Sequence, residues 1–455
     1  MVLSVPVGAP FHVFMSLWAA KAGRHGPPDF KGRVMTLPDP SVPLLLPLPL
    51  AGVRVLDLSN VLAGPFCGYN LARLGAEVIK IENPDGGDLA RKLGADPAMA
   101  ARLMGLSFVA VNAGKQSVAL DLKAKAGKEA FLRLLDQADV VLENFRPGVM
   151  ERLGLSYYVL AARNPRIVYC AISGFGQDGP WASRPAYDQI VQGLSGAMSV
   201  TGDAASAPLR TGFPISDTIA GLTAAFAISA ALVEQRRVGH GRQIDVSLLE
   251  ATMAAMGWVV SNHLNGGVEP EAMGNDNMTA SPSGTFHTAT GPLNIAANEQ
   301  KQYEALCDVV GRPDLASDVR FADRQSRKEH RAALTAELEK ALSARGAQEW
   351  EALFNARGVP SGSVLTVPQV LREAQVTGRG FIEDLAGVTS AGAPLRVTRP
   401  GFRLGEPFPQ PTPPPELGQD TARWLAALGY TEIEIEALRA SGVTEAVARK
   451  NRAKD

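Results

Sequence analysis

The chain has 455 residues, a formal net charge of −1 and 46% hydrophobic residues. This length allows more than one domain, and the apolar content is typical of a soluble globular protein with a large core. The balanced charge argues against function classes that need a basic surface, such as binding to nucleic acid or to an anionic membrane. Cys67, Cys170 and Cys307 have no metal-ligand spacing, so we expect reduced packing residues in a cytoplasmic protein without a metal site.

Two segments are excluded as targeting or membrane elements. Residues 1–49 are rich in Pro and Gly and lack the basic start and cleavage site of a secretory signal, so we expect a loose N-terminal extension. The longest apolar run, residues 218–233, is shorter than a membrane-spanning helix and rich in small residues. This composition predicts a buried, closely packed helix.

The first half of the chain predicts alternating strands and helices. Residues 53–58 form an apolar run, Pro65 fits the first turn of a helix that Gly75 ends, and residues 76–82 form a second run. Further strands are predicted at residues 117–122, 139–143 and 167–172, with helices at 124–137 and 147–162. Repeated βαβ units require a parallel sheet. The sequence therefore predicts an α/β fold with a Rossmann-like, doubly wound parallel sheet.

The loops after these strands are the expected ligand-binding region, because ligands of doubly wound sheets bind beyond the carboxyl ends of the strands. Four conspicuous loops fall there, at residues 60–64, 83–91, 144–148 and 173–179. No GxGxxG motif follows the first strand, and no GxxxxGK[ST] motif occurs, which disfavours a nicotinamide dinucleotide or P-loop site.

The second half predicts a different organisation. Residues 215–264 are apolar and helical with a turn at 239–242, and residues 274–284 form a polar loop. A smaller α+β unit follows, with a strand at 293–296 and helices at 300–310, 331–344 and 348–356. We predict a large domain at residues 50–230, a helical connection with a lid-type loop at 231–283, a small domain at 284–385 and a return to the large domain at 386–455.

Asp188 lies where a short helix is predicted to start, after Pro185 and before Ile190, Val191 and Leu194. An aspartate at this place can cap the free N–H groups of the first turn. Alternatively, the helix dipole favours an ionised carboxylate whose fixed direction suits attack on an activated acyl group. The local sequence leaves both interpretations open.

Motifs along the chain resemble a known family. They occupy residues 52–67, 74–82, 86–88, 114–122, 138–148, 173–180, 187–188, 241–250 and 428–443. Their order resembles that of the family III CoA transferases, the group containing formyl-CoA transferase and carnitine CoA transferase, over residues 50–445. The resemblance implies an interlocked homodimer with a large Rossmann-like and a small domain, acyl-CoA and carboxylic acid substrates, and no permanently bound cofactor.

The resemblance also implies that Asp188 is the nucleophile. Asp188 would attack the donor thioester, and the released CoA thiolate would convert the mixed anhydride into an aspartyl-CoA thioester. The acceptor carboxylate would attack that thioester, and the thiolate would then return to the new acyl carbon. Such tetrahedral intermediates need N–H donors that face the developing oxyanion.

The resemblance further assigns residues to CoA. Val61, Leu62 and Ala63 would line the CoA and acyl pocket, and Asn144, Phe145 and Arg152 would contact adenine and phosphate groups, with Arg91 and Lys115 as further phosphate candidates. Packing at a strand end is the alternative for the first three residues, and a solvated helix charge is the alternative for Arg152. Formyl-CoA transferase has a Gln where Leu62 stands, which argues against formate and oxalate as substrates.

The acid substrates are not fixed by the sequence. Relatives commonly use succinyl-CoA as donor to a dicarboxylic acid, and Arg184, Arg210 or Lys301 would suit the distal carboxylate. Gly274 and residues 281–284 stand where formyl-CoA transferase has a glycine-rich lid, although a plain surface loop is an equal alternative.

Two other functions remain as alternatives. The family contains acyl-CoA racemases, which pair the aspartate with a histidine for proton transfer. Here Tyr187 stands where racemases carry that histidine, and no histidine occurs between His25 and His240. The second alternative is a non-catalytic acyl-CoA-binding protein with a decayed site, which the retained Asp188 disfavours.

Overall fold

The computed structural model describes residues 47–405 and 408–445. The predicted extension at residues 1–49 therefore lies outside the described residues except for its last three positions. The strands are β1 (Arg54–Asp57), β2 (Glu77–Glu82), β3 (Gln116–Ala119), β4 (Val140–Glu143), β5 (Val168–Ser173), β6 (Gln243–Ser247), β7 (Ser283–His287), β8 (Pro292–Ala296), β9 (Ser361–Ser363), β10 (Ile382–Val388) and β11 (Pro394–Thr398).

The helices connect and cover these strands. They are α1 (Ala63–Arg73), α2 (Pro97–Ala101), α3 (Leu106–Asn112), α4 (Lys125–Leu135), α5 (Val149–Arg152), α6 (Tyr157–Arg163), α7 (Asp188–Leu194), α8 (Ile215–Val238), α9 (Leu248–Ala255), α10 (Gly257–Gly266), α11 (Gln300–Val309), α12 (Asp314–Ser317), α13 (Arg324–Glu329), α14 (Arg331–Leu342), α15 (Ala347–Ala356), α16 (Val367–Val370), α17 (Ala374–Thr377), α18 (Thr421–Ala427) and α19 (Glu432–Ala440). Short 3₁₀ helices lie at Leu89–Lys92 and Ala197–Val200.

The first six strands form one parallel sheet in the order β3-β2-β1-β4-β5-β6. This confirms the predicted α/β fold with a parallel sheet. The chain leaves β1 in one direction to build β2 and β3, and in the other to build β4 to β6. A crevice therefore opens beyond the carboxyl ends of β1 and β4, where ligands of such sheets bind.

Helices cover both faces of the sheet because neighbouring strand residues point to opposite sides. In β1, Val55 packs into a core with Ala224 and Ile228 of α8. The next residue, Leu56, packs into a core on the other face with Phe131 of α4 and Trp424 of α18. Both strand residues are fully buried, which explains their continuous apolar sequence.

Helix α8 is the long helix on the first face of the sheet. Among the described residues, α8 is the one helix with the length and composition to cross a membrane. It packs closely on α1, since a Cβ at Gly221 would lie 2.6 Å from the carbonyl oxygen of Ala63. Its contacts with the sheet and with α1 agree with the predicted close packing, but only one side of the helix is buried, since Phe226 and Val233 are 76% and 73% exposed.

Several predicted elements differ from the structure. The sequence predicts helix through residues 243–264, but residues 243–247 form β6, the sixth strand of the parallel sheet. This edge strand alternates polar and apolar residues over a length that is too short to stand out beside the apolar helices on each side. The predicted helix at 147–162 is divided, because Gly154 has a φ of +68° and ends the first part.

The remaining strands form two small antiparallel sheets. Strands β7, β8 and β9 pair in that order, and their Phe286 and Leu293 pack with Tyr303, Leu338 and Trp350 from the nearby helices into a separate core. Strands β10 and β11 form a hairpin that packs on α1 and α3. The sequence analysis missed β7, β9 and β10, which are short or largely exposed. The division into domains stays a prediction.

Candidate active site

A cavity of about 270 Å³ lies beyond the carboxyl ends of β1, β4 and β5. Its lining residues are Asn60, Val61, Leu62, Ala63, Asn144, Phe145, Arg146, Ile172, Ser173, Gly174, Ala186, Tyr187, Asp217 and Leu248. Five predicted site residues are thus brought together: Val61, Leu62, Ala63, Asn144 and Phe145. A larger cavity of about 590 Å³ lies between residues 274–277 and the strands β7 to β9, away from these residues.

The loop after β1 is fixed to the loop after β4 by one side chain. Asn144 accepts a hydrogen bond from the N–H of Asn60 at 2.7 Å and donates one to the Asn60 carbonyl at 2.8 Å. These two hydrogen bonds join the loop after β1 to the loop after β4. The predicted role of Asn144 in binding adenine or phosphate stays a prediction, since its amide already bonds this loop.

Val61 has an unusual backbone conformation. Its φ is +67°, in the left-handed region that a β-branched residue rarely adopts. Holding such a residue there costs on the order of 1–3 kcal/mol and requires fixed surroundings. The following residues, Leu62 and Ala63, begin α1, and no side chain caps this helix start. The N–H groups of its first turn therefore have no intrahelical acceptor and lie beside the cavity.

Asp188 begins α7 as predicted, but its carboxylate serves another helix. Its Oδ1 accepts hydrogen bonds from the N–H groups of Ser216 at 2.8 Å and Asp217 at 3.3 Å, at the start of α8. Its Oδ2 accepts from Nε2 of Gln192 at 2.6 Å. The side chain is buried and is not among those that line the cavity. Asp188 thus contributes negative charge to the N-terminus of a 24-residue helix.

Asp217 is the carboxylate that does line this cavity, and the sequence analysis missed it. Burial, followed by the negative charge of Asp188, raises the pKa of Asp217 to about 7. A strongly perturbed carboxyl group in a cleft is a candidate functional group. The available signal was an acidic residue in the first turn of a helix whose next sixteen residues carry no charge, but that apolar run predicts packing only.

Three further lining residues escaped the sequence analysis. Arg146 follows β4, and its exposed guanidinium brings positive charge to the cavity. Ser173 ends β5, and its buried hydroxyl has no hydrogen-bond partner in the described structure. Tyr187, which precedes Asp188, has 68% of its surface exposed. Their positions at strand ends and before a helix were visible in the sequence, but their residue types were not decisive.

Arg91 and Lys115, the further phosphate candidates, are both buried and paired in the structure. Arg91 forms a double hydrogen bond with Glu82, at 2.7 Å and 2.6 Å, and its side chain has 0% exposure. Lys115 contacts Oδ2 of Asp57 at 2.8 Å and the Pro65 carbonyl at 2.8 Å, also without exposure. Each cation is thus committed to a buried carboxylate, and its contact with phosphate stays a prediction.

Arg152 lies outside the main cavity, exposed on α5. A neighbouring cavity of about 210 Å³ shares Asn60 and Phe145 with the first and extends past Asn83, Lys123 and Val149. The two cavities are therefore neighbours beyond the carboxyl ends of β1 and β4. A phosphate contact of Arg152 stays a prediction.

The candidates for a distal carboxylate lie elsewhere. Lys301 pairs with Glu299 at 2.9 Å, the guanidinium of Arg184 lies 4.6 Å from the ring centre of Trp181, and Nε of Arg210 donates to the neighbouring carbonyl of Thr211. None of the three lines the 270 Å³ cavity, whereas Arg146 does.

The sequence profile described as CoA-transferase family III matches residues 50–421. The chain belongs to this family. A succinate–glutarate CoA-transferase from Agrobacterium fabrum is 36% identical over 84% of this chain and 96% of its own length. An acetyl-CoA:oxalate CoA-transferase from Acetobacter aceti is 40% identical over 77% and 89%, respectively. The crystal structure of a CAIB/BAIF family protein from Brucella suis has a TM-score of 0.74 and 33% identity, and covers 84% of this chain and 100% of its own.

Family membership identifies the chain as a CoA-transferase that uses CoA thioesters as substrates. Within the residues that the structure describes, no group of three or more His, Cys, Asp or Glu side chains is arranged to hold a metal ion.

Proposed function

We propose that this CoA-transferase moves CoA from an acyl-CoA donor, of which succinyl-CoA is the first to test, to a free dicarboxylic acid. The observation that carries the proposal is the carboxylate pair Asp188 and Asp217 beside a cavity at the carboxyl ends of β1, β4 and β5. Relatives named for succinate, glutarate and oxalate support a dicarboxylic acceptor. Arg146 at the same cavity supplies a cation for a second carboxylate.

We assign the covalent steps to this pair, with Asp217 as the attacking group. Asp188, the nucleophile predicted from the sequence, stays the alternative: its carboxylate accepts from the N–H of Ser216 and from Nε2 of Gln192, and it is not among the residues that line the cavity. Asp217 lines the cavity. Its backbone N–H donates a hydrogen bond to Oδ1 of Asp188 at 3.3 Å, which helps to fix the position of Asp217. In this assignment Asp188 orients the start of α8 and Asp217 meets the thioester.

The proposed reaction exchanges one activated acyl bond for another. An oxygen of Asp217 attacks the thioester carbon, the C–S bond breaks, and CoA leaves as thiolate from a mixed anhydride. The thiolate attacks the Asp217 carbonyl carbon and releases the donor acid as carboxylate. The acceptor carboxylate attacks the carbonyl carbon of this aspartyl-CoA thioester, the C–S bond breaks, and a second mixed anhydride forms beside the free thiolate. The thiolate attacks the acceptor acyl carbon of that anhydride, the C–O bond breaks, and Asp217 leaves as carboxylate. No external energy source is consumed.

Two features would stabilise and hold the reactants. The N–H groups of Ala63 and Gly64, in the uncapped first turn of α1, are proposed donors to the tetrahedral oxyanions. The neighbouring cavity past Phe145 and Lys123 is proposed to take the extended CoA chain, with Arg152 near its phosphates. Val61, Leu62 and Phe145 would contact the pantetheine and acyl parts.

The test combines substrates with aspartate variants. Donor thioesters and free acids, including succinyl-CoA, glutarate and oxalate, are mixed pairwise and the products are identified by mass spectrometry. Hydroxylamine trapping then tests for an acyl-enzyme. We expect Asp217→Asn to lower turnover by roughly a thousandfold or more, and Asp188→Asn by about ten- to a hundredfold. The matched control is Asp136→Asn, a surface aspartate paired with Arg163.

Each outcome decides between specific assignments. Loss of trapping in Asp188→Asn but not in Asp217→Asn would return the nucleophile to Asp188. Incorporation of solvent deuterium into the acyl-CoA, without CoA transfer, would favour a racemase; no histidine is among the cavity-lining residues. Binding of acyl-CoA without either reaction would favour a non-catalytic protein. Whether Leu62 excludes oxalate stays a prediction. Because one relative is named for oxalate, oxalate must be among the free acids that are tested.

We also propose that the chain acts as an interlocked homodimer in the cytoplasm. Support for a dimer comes from large apolar side chains that remain exposed on α8 and α10, among them Phe226, Val233, Trp258 and Leu264.

A further inference from the structure

We propose that Asp88, paired with Lys80, is a positioning residue that holds the loop between β1 and α1 in its reactive conformation. The inference rests on the proposed function, because this loop forms one wall of the proposed reaction cavity. Asp88 itself is not among the residues that line that cavity, so it would act through Val61 and not by touching the substrate.

Asp88 is buried and makes contacts in two directions. Its Oδ1 accepts hydrogen bonds from the N–H groups of Val61 at 2.9 Å and Ala90 at 2.8 Å. Its Oδ2 lies 2.9 Å from Nζ of Lys80, and both side chains have 0% exposure. Nζ of Lys80 also donates to the Ser59 carbonyl at 2.6 Å. One buried ion pair therefore holds the backbone on both sides of Asn60.

The ion pair of Asp88 and Lys80 acts on Val61, a residue type that rarely adopts the backbone conformation found here. Val61 is one of two residues other than glycine with positive φ in the described chain. Without an acceptor for its N–H, a β-branched residue would return to negative φ. That rotation would turn the peptide that leads into Leu62 and move the start of α1 relative to Asp217. A shift of about 1 Å at a reacting group can cost about a hundredfold in rate.

The contacts of Asp88 and Lys80 distinguish a positioning role from a general contribution to the stability of the fold. Beyond pairing with each other, Asp88 and Lys80 both bond the backbone of residues 59–61, so the loss of either group acts directly on this loop. The ion pair is needed because Val61 is strained. Glycine adopts positive φ at no steric cost, so Val61→Gly should make the Asp88–Lys80 pair partly dispensable.

The experiment is a double-variant cycle. Asp88→Ala is compared in the natural background and in Val61→Gly, with kcat and the KM for the acyl-CoA donor measured separately for folded protein. Asp96→Ala is the matched control, since Asp96 also accepts a backbone N–H at a helix start but is exposed and outside the cavity. Should the unpaired Lys80 prevent folding, Lys80→Met/Asp88→Ala removes both charges. Amide hydrogen exchange at residues 59–63 is measured in every variant.

We expect Asp88→Ala to lower kcat by about a hundredfold with a much smaller change in KM, and to speed exchange at residues 59–63. In the Val61→Gly background the same change should cost tenfold or less. An unchanged kcat, an equal loss in both backgrounds, or unaltered local exchange overturns the proposal. If the natural protein transfers no CoA at all, the proposed function fails, and the exchange data alone decide whether Asp88 positions Val61.

Discussion

Asp217 combines access to the cavity with a carboxyl group that titrates near neutral pH. Burial is the larger cause of its raised pKa, and the adjacent charge of Asp188 is the second. If the ionised form of Asp217 attacks the thioester, the reactive fraction grows as pH rises through about 7. In the proposed reaction, Asp188 would therefore act through its charge as well as by orienting the start of α8.

We expect kcat/KM to rise between about pH 5 and 8 and then to level off. In Asp188→Asn the midpoint of this rise should move to lower pH, because one of the two causes of the raised pKa is gone. The measurement is the pH profile of kcat/KM for both proteins with the same donor. A midpoint that stays in place in the variant would contradict the charge effect, and an absent rise would remove Asp217 from this role.

At this scale the sequence predicted the parts of the site that follow strands. Val61, Leu62, Ala63, Asn144 and Phe145 were found because the ends of parallel strands converge in space. The burial of Lys115 and the position of Asp217 were not visible in the sequence, for physical reasons. The partner of Lys115 is Asp57, which is 58 residues away in the chain, so the burial of this cation was not visible. Asp217 was hidden because its apolar helix indicated packing.

At the scale of elements, the strands beside the cavity carry an unusual set of buried charges. Lys115 pairs with Asp57 at the end of β1, and Arg91 pairs with Glu82 at the end of β2. Burial alone would raise the pKa of Asp57, but the charges of Lys115 and then Lys80 outweigh it, and the pKa is lowered. Asp57 is therefore ionised inside the protein and depends on its partners.

We expect Lys115→Met to lower the free energy of unfolding by about 3–5 kcal/mol, because it leaves the Asp57 charge buried without its closest cation. The double variant Asp57→Asn/Lys115→Met should recover most of this loss, since no buried charge remains unpaired. Urea unfolding at neutral pH measures both. A loss below about 1 kcal/mol in the single variant would mean that water or Lys80 replaces the missing partner.

The helices and strands were predicted correctly where the apolar pattern of the sequence extends over enough residues. The helices α1, α4, α14 and α15 and the first five strands follow clear apolar periodicity, and the structure has them within a few residues. The strands β6 and β10 were missed because half-exposed edge strands owe their position to partners distant in sequence. Local pattern therefore gave β1 to β5 but not β6, which lies at one edge of the sheet.

At the scale of the whole molecule, two helices leave large apolar side chains exposed. Phe226 on α8 and Trp258 on α10 have 76% and 82% of their surface exposed, and Val233 and Leu264 have 73% and 74%. Monomeric proteins rarely expose several large apolar side chains together, so a second copy of the chain is the expected cover.

We expect the natural protein to be a dimer in light scattering after size-exclusion chromatography. Phe226→Glu/Trp258→Lys should shift it toward monomer, because charges would be buried without partners in the interface. Ile433→Glu is the control, as Ile433 on α19 is equally apolar and 84% exposed but belongs to another element. A dimer that is unaffected by the double change, or a monomeric natural protein, would exclude this surface as the interface.

The close packing at Gly221 has a consequence for the chemistry as well as for the fold. Gly221 lies one turn after Asp217 on α8, and the backbone it touches is that of Ala63, at the start of α1. The spacing between the carboxylate of Asp217 and the proposed oxyanion donors thus depends on the close approach of these two main chains. A single methyl group added at Gly221 would push α8 away from α1 and widen the proposed reaction centre, although it replaces none of the proposed catalytic side chains.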